Sequence, residues 1–566
     1  MAIAMVAREV CVSSFLDRLH PALLLASVLV ACAHGGPAPP PAASPPAPPS
    51  PAAVAPSVAP GRAPSEARWL ALELKGAPVG RMHEVVDGVA GGGFATRVAT
   101  EFRIGRLGKV VEMATDFTLT EDAHGELQAV RGETRLSRQV TTSEVSFAAG
   151  AATVRESAGG PAHTRSVAVA GPLLGPQGTR RLIAAKLRAA GDAVEYLTWS
   201  AALSAPHRVR CTAEDFESVA IEGAPTRLLR ATVVAEGEGT PRKVWFDAAG
   251  RELRSEIALP FGAMVASQAA AEPRMPGGEL SADAFTPTLI RSNVRLPGPR
   301  ALDRLVVRVE LDEVGRIPAL DSADERITGQ DARGAVIEIV RAEPPARGAG
   351  SGAAGGAADE PVGPEYLGAS AVVDPSEPAV RAIAAEVTDG AVDPWDRAQR
   401  LTRWVTEHMT FDAGIAFAPA AELARDRHGT CAGYAVLLAS LLRAASIPAR
   451  LDMGLVYSGG IFGGHAWVEA RIGGRWVPLD AALPSDGPAD AARIALARGA
   501  LDHGPGAMAA AFGQLIGHAK IRVTGYAPHG RALVRVDDAA PPYAIDGARY
   551  VNRGLGLAIT APAGYR

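Results

Sequence analysis

Between Arg68 and Glu343, apolar and polar residues alternate in short runs: WLALELKG, GKVVEMATDFTLT, TTSEVSFAA, RKVWFDAAGRELRSEIAL, DRLVVRVEL and AVIEIVRAE. A period of two, rich in β-branched residues and broken by Gly or Asp, predicts antiparallel strands with one covered face. One helix is expected inside this region, from Thr179 to Ala190, because RRLIAAKLRAAG has helical spacing and stops at Gly191. Beyond residue 363 the period becomes helical. Asp393-Pro394-Trp395-Asp396 combines an N-cap, a first-turn proline and a first-turn acid, and Ala398, Leu401, Trp404, Val405 and Met409 then fall on one face as a core stripe. Thr430 stands at the N-cap of an apolar helix that starts at Cys431 and runs to about Ala445, before Pro448. Two short strands, His465 to Ile472 and Arg475 to Asp480, flank Gly473-Gly474, the composition of a two-residue hairpin turn. Further on, a helix is expected from Ala491 to Arg498, and strands near Ile521 to Thr524 and Arg531 to Val536. The fold class is therefore α+β, with a mostly antiparallel β region preceding a helix-and-sheet half.

Two low-complexity stretches divide the chain. Pro37 to Pro64 is almost entirely Pro, Ala, Ser and Val, which favours a semi-rigid polyproline spacer of about 80 Å at ~3.1 Å per residue. Pro344 to Gly363, PPARGAGSGAAGGAADEPVG, reads as a linker, since it lacks the Gly-Lys-Ser/Thr ending and the flanking strand and helix of a nucleotide loop. The expected divisions are a leader at 1–31, a tether at 32–66, β-rich structure at 67–343, the linker at 344–363, a helix-led domain at 364–490 and an extension at 491–566. In the leader, Arg8 and Arg18 precede an apolar run from Ala22 to Val30, too short for a mature membrane span. Leu29-Val30-Ala31-Cys32 resembles the bacterial lipobox, which implies cleavage before Cys32 and its lipidation. Ala33, where a retention aspartate would stand, points to the outer membrane. The lipid would be the sole membrane anchor of an envelope protein facing the periplasm or the cell surface.

Charge and cysteine usage narrow the chemistry. Lys plus Arg number 57 against 61 Asp plus Glu, a formal −4, so the chain offers no basic field for nucleic acid. Of four cysteines, Cys11 falls in the leader and Cys32 at the lipid site, leaving Cys211 and Cys431 as thiols and no disulfide framework. No HExxH, paired CxxC or calcium-loop pattern calls for a metal, and no cofactor is implied. Cys431 differs from Cys211 by its place in the first turn of a helix, where the dipole and unpaired N–H groups favour a thiolate and an oxyanion. With a two-residue turn, Ile472 pairs with Arg475 and Trp467 with Asp480, so His465 and Asp480 are diagonal neighbours on one face. The other face collects Ala466, Val468, Ala470, Ile472, Val477, Leu479 and Ala481 as core. An imidazole and a carboxylate so placed suit the base and orienter of a cysteine nucleophile.

Several pieces recur in a known order: Gly-x-Cys before an apolar helix, Leu442-Arg443-Ala444 with Ile447-Pro448-Ala449-Arg450, then His465-Ala466-Trp467-Val468-Glu469 and Trp476-Val477-Pro478-Leu479-Asp480. Over about residues 365–490 this resembles the transglutaminase-like superfamily. The resemblance implies a papain-like core, a cysteine helix packed on an antiparallel sheet, with Cys431, His465 and Asp480 in the three catalytic positions. It implies acyl transfer or hydrolysis at amide or isopeptide bonds of a protein or peptide substrate in the envelope. A cross-linking transglutaminase and a non-catalytic tethered binding protein are the alternatives. Trp404 is a candidate second oxyanion donor, Trp467 and Glu469 are expected to line the cleft, and His428 is expected in a loop. Gly459, Gly460, Gly463 and Gly464 form a lid or a hairpin turn.

Overall fold

The computed structural model describes residues 66–560, less 278–287, 312–321, 349–361, 503–507, 509–518, 537–542, 553–556 and a few shorter breaks. The leader, Cys32, the tether up to residue 65 and most of the 344–363 linker lie outside the described residues.

Alternation translates directly into one large antiparallel sheet of fourteen strands. Eight strands follow one another from Glu66–Leu74 to an edge at His163–Ala168. The chain re-enters at the opposite edge, Ala193–Ser200, and returns until Gly262–Ala269 lies beside the first strand, with Leu72 opposite Ala266. Strand Phe94–Arg106 shows the pattern: Thr96, Val98, Thr100, Phe102 and Ile104 are buried while Arg97 and Glu101 are not. The inserted helix runs over Pro176–Lys186, earlier at both ends than the sequence period suggests. Its start is set from far away in the chain. The Glu121 carboxylate, on strand Lys109–Glu121, accepts from the N–H groups of Gln177 at 3.0 Å and Gly178 at 2.8 Å. Ile183 and Leu187 then pack on Val209, Cys211, Ala231 and Phe246.

The second half is built on a smaller antiparallel sheet. Its strands lie in the order Ile290–Arg291, Ile461–Ile472, Ala449–Ser458, Arg493–Gly499, and Arg475–Leu479 pairs further along Ile461–Ile472. Helix Cys431–Ala444 packs on this sheet, surrounded by helices Pro378–Val387, Pro394–His408 and Ala420–Asp426. Another sheet joins Glu325–Asp331, Gly334–Val340, Leu302–Leu311, Ala519–Pro528 and Val534–Arg535.

Two features depart from the sequence pattern. Residues 493–499 form a strand, where a helix from Ala491 to Arg498 was expected. RIALARG fits either period, and the edge of Ala449–Ser458 decides it, pairing Asp452 with Arg498 and Leu455 with Ile494. Pairing also crosses the boundaries marked by low complexity: Ile290–Arg291 adds to the sheet of the second half, and Leu302–Leu311 pairs with Ala519–Pro528. One apolar core runs from Leu72, Met82, Phe102 and Met264 in the large sheet into Leu305, Ile337 and the Cys431 helix. No helix among the described residues is long and apolar enough to cross a membrane.

Candidate active site

Helix Cys431–Ala444 is apolar on all sides because it is surrounded on all sides. Every residue from Cys431 to Arg443 is buried, and Leu437, Leu438, Leu441 and Leu442 are each fully covered, contributing about 1.5–3 kcal/mol apiece. Thr430 is extended and its carbonyl accepts from Tyr434 N–H at 3.1 Å, but its hydroxyl does not cap the helix. The first turn of an α-helix carries N–H groups without intrahelical acceptors and the positive end of the dipole, and Cys431 stands in that turn.

Gly473 and Gly474 take φ of 62° and 79°, left-handed values that a two-residue hairpin turn requires. Ile472 pairs with Arg475 and Val468 with Leu479, and one further step puts Trp467 opposite Asp480. The diagonal contact follows: His465 Nε2 lies 2.6 Å from Asp480 Oδ2. Ala466, Val468, Ala470, Ile472, Val477, Leu479 and Ala481 are all buried on the opposite face.

The electrostatics of this pair are set by burial and by its neighbours. Burial disfavours a charged His465, but the Asp480 carboxylate and then the Cys431 sulfur outweigh it and raise the imidazole to about 9. With Nε2 on Asp480, Nδ1 is buried without a hydrogen-bond partner, and the Cys431 sulfur acts on the same ring. Burial likewise opposes ionisation of Asp480, yet His465 and Arg493 hold it well below the usual carboxylate range. Its Oδ1 accepts from Ala482 and Leu483 N–H, each at 2.9 Å, and Oδ2 accepts from Arg493 Nη2 at 2.8 Å and Nε at 3.1 Å. Cys431 and His465 are 0% exposed and Asp480 4%.

Arg493 is the member of this cluster that the sequence did not reveal. A helical period over Ala491 to Arg498 hides it; in a strand, an arginine set among Ile and Ala is a residue turned toward a polar partner. It also bonds Asp490, which in turn meets Arg300 Nη1 at 3.1 Å.

Other expected positions fall differently. Trp467 is buried beside His465, its ring 5.9 Å away. Glu469 does not line an open cleft: it is enclosed, paired with Arg450 at 2.6 Å. His428 is exposed, in a two-residue bridge with Thr410–Phe411. Trp404 stacks on His408, with the Arg427 guanidinium over its ring. Gly459-Gly460 is a tight turn joining Ser458 to Ile461, and Gly463 and Gly464 lie within the strand that carries His465. Cys211 is free, and burial pushes its thiol up to about 12. No group of three His, Cys, Asp or Glu suited to a metal occurs among the described residues.

Residues 381–481 match the model of the transglutaminase-like superfamily core. A search of curated proteins returned no match. Among solved structures, a β-barrel-like protein of a domain of unknown function from Brucella abortus shares 13% identity over 36% of this chain and 93% of its own, with a TM-score of 0.28. A candidate cysteine protease from Cytophaga hutchinsonii shares 16% over 46% of this chain and 92% of its own, TM-score 0.26. A candidate protease from Parabacteroides distasonis shares 10% over 72% and 68%, TM-score 0.17. At these scores the likenesses say nothing about chemistry.

Proposed function

We propose, from the premise that residues 381–481 are a transglutaminase-like domain, that the protein is a cysteine enzyme of amide or isopeptide bonds. Cys431 is the nucleophile, His465 the base and acid, and Asp480 the orienter. The observation that supports this most is His465 set by Nε2 on a carboxylate whose two oxygens are both engaged, with the Cys431 sulfur near enough to raise the imidazole. His465 holds the proton given up by Cys431 as an imidazolium, the thiolate of this ion pair attacks the carbonyl carbon, and first-turn N–H groups meet the oxyanion. The C–N bond breaks as His465 returns the proton to nitrogen, and the thioester passes to water or an amine. Lipidation at Cys32 would hold the enzyme in the envelope, outer membrane facing, on a peptide or protein substrate.

Incubation with a glutamine-donor protein and a labelled amine separates the outcomes. Released fragments that vanish in Cys431→Ala support hydrolysis. Covalent amine incorporation that vanishes in the same variant supports cross-linking. The full burial of Cys431 and His465 favours one other reading, a scaffold whose site stays closed. Unchanged cellular function of Cys431→Ala, with Cys431 alkylated no faster than an ordinary thiol, would establish that reading and refute the enzyme.

A further inference from the structure

In the usual arrangement of a nucleophile, a histidine and an aspartate, the buried carboxylate has one main counter-charge, the imidazolium it orients. Asp480 has two. Arg493 approaches the same oxygen, Oδ2, that faces His465, through both Nη2 and Nε. Its charge is fixed, since a guanidinium does not titrate in the working range. Arg493 is itself held by Asp490, by the Asp490 carbonyl at 3.2 Å and by the Leu483 carbonyl at 2.8 Å. Asp490 is further held by Arg300, Ser485 and the N–H of Ala492. The two arginines and two aspartates balance without any charge on His465.

We propose that Arg493 is a positioning residue of the site: it fixes Asp480 and shares its charge, limiting how firmly Asp480 holds the proton on His465, so that this proton passes to the leaving nitrogen. The proposal rests on the acyl-transfer reading above for its purpose, but the charge sharing stands apart from it. The proton path is conservative: Cys431 loses it, His465 carries it, the departing amine gains it, and no oxidant or co-reactant takes part. The groups that face His465 are Asp480 at the end of the Arg475–Leu479 strand and Cys431 on its helix, with Arg493 on the far strand reaching the shared Asp480 oxygen. Gly454, opposite His465 on Ala449–Ser458, brings no charge, and Asp452 one row away is committed to Arg498 at 3.1 Å. Of the more distant charges, Asp490 pairs with both Arg493 and Arg300, and Arg300 also feels the Asp480 charge.

The test is the titration of His465 in the full chain, followed by NMR of carbon-labelled histidine and assigned by the signal missing in His465→Gln. Arg493→Gln should raise the midpoint by about one pH unit or more, the effect of removing a cation beside the carboxylate. Arg493→Lys, which keeps the charge, should stay near the wild type. Asp490→Asn frees the whole Arg493 charge for Asp480 and should lower the midpoint, while the rise in Arg493→Gln is the sign that structural damage, which lets His465 fall back toward 6.5, would not produce. An unmoved or lowered midpoint in Arg493→Gln, or a raised one in Asp490→Asn, overturns the proposal. If one variant does not fold, the sign of the other decides. Failure of both to fold, with Arg493→Lys folding normally, overturns it as well, making Arg493 a structural charge only. A wild-type Cys431 no more reactive than an ordinary thiol would instead sink the enzyme reading and leave the charge sharing intact.

Discussion

A histidine held as an imidazolium in the folded protein makes stability depend on pH with a definite sign. His465 sits at about 9 in the folded chain against 6.5 as its ordinary value. Its contribution is fully present below pH 6.5 and is lost as pH rises through 9, and the interval corresponds to about 3 kcal/mol at most. An anionic Cys431 would have the opposite dependence, because an unfolded thiol titrates near ~8.5, so the experiment is best done in Cys431→Ala. Removing the sulfur also removes part of what raises His465, and about 2 kcal/mol is then expected. The comparison is with Cys431→Ala/Asp480→Asn, which keeps the shape of the carboxylate and loses its charge. Other buried acids contribute the same slope to both variants. Urea unfolding followed by tryptophan fluorescence, from pH 6.5 to 9, gives the two stabilities, and their difference should narrow by about 2 kcal/mol over that window. Parallel curves would refute the claim that Asp480 holds a proton on His465.

Three other outcomes follow from the packing. Glu121→Ala leaves the buried Gln177 and Gly178 N–H groups without an acceptor and should cost about 2–3 kcal/mol, read as a lower urea midpoint. Burial raises Glu325 to about 8, so its contribution is intact below ordinary carboxylate values and lost as pH climbs to 8. Glu325→Gln keeps an acceptor for Ala495 N–H and should be more stable than the wild type at pH 8, by about 2 kcal/mol in thermal or urea unfolding. One glycine inserted between Gly473 and Gly474 would turn Asp480 away from His465, and a fall of about a thousandfold in kcat/KM is expected, with little change refuting the register.

The parts of the site that depend on local rules were legible in the sequence. The first-turn place of Cys431 follows from Thr430 and the apolar run after it, and the His465 to Asp480 diagonal follows from a period of two and a turn of two glycines. What was not legible depends on partners distant in the chain. Arg493 is recognisable only when Ala449–Ser458 supplies an edge that makes residues 493–499 a strand. The helix at Pro176 begins where a carboxylate fifty-six positions earlier meets its N–H groups, a contact no periodicity encodes. Glu469 lies on the same sheet face as His465, which suggested a cleft position, but Arg450 beside it satisfies the carboxylate internally. The Gly/Ala-rich stretch marks a change of composition that the sheets do not respect.

That last feature has a mechanical side. Strands on both sides of residues 344–363 share sheets: Ile290–Arg291 with Ile461–Phe462, and Leu302–Leu311 with Ala519–Pro528. Cutting the backbone between Val340 and Pro364 would therefore yield two polypeptides that stay together as one particle. They would run as two bands under denaturing conditions and as one species in a native separation. Expressed alone, the downstream piece would carry Cys431, His465 and Asp480, yet present a bare edge along Ala519–Pro528, a template for aggregation.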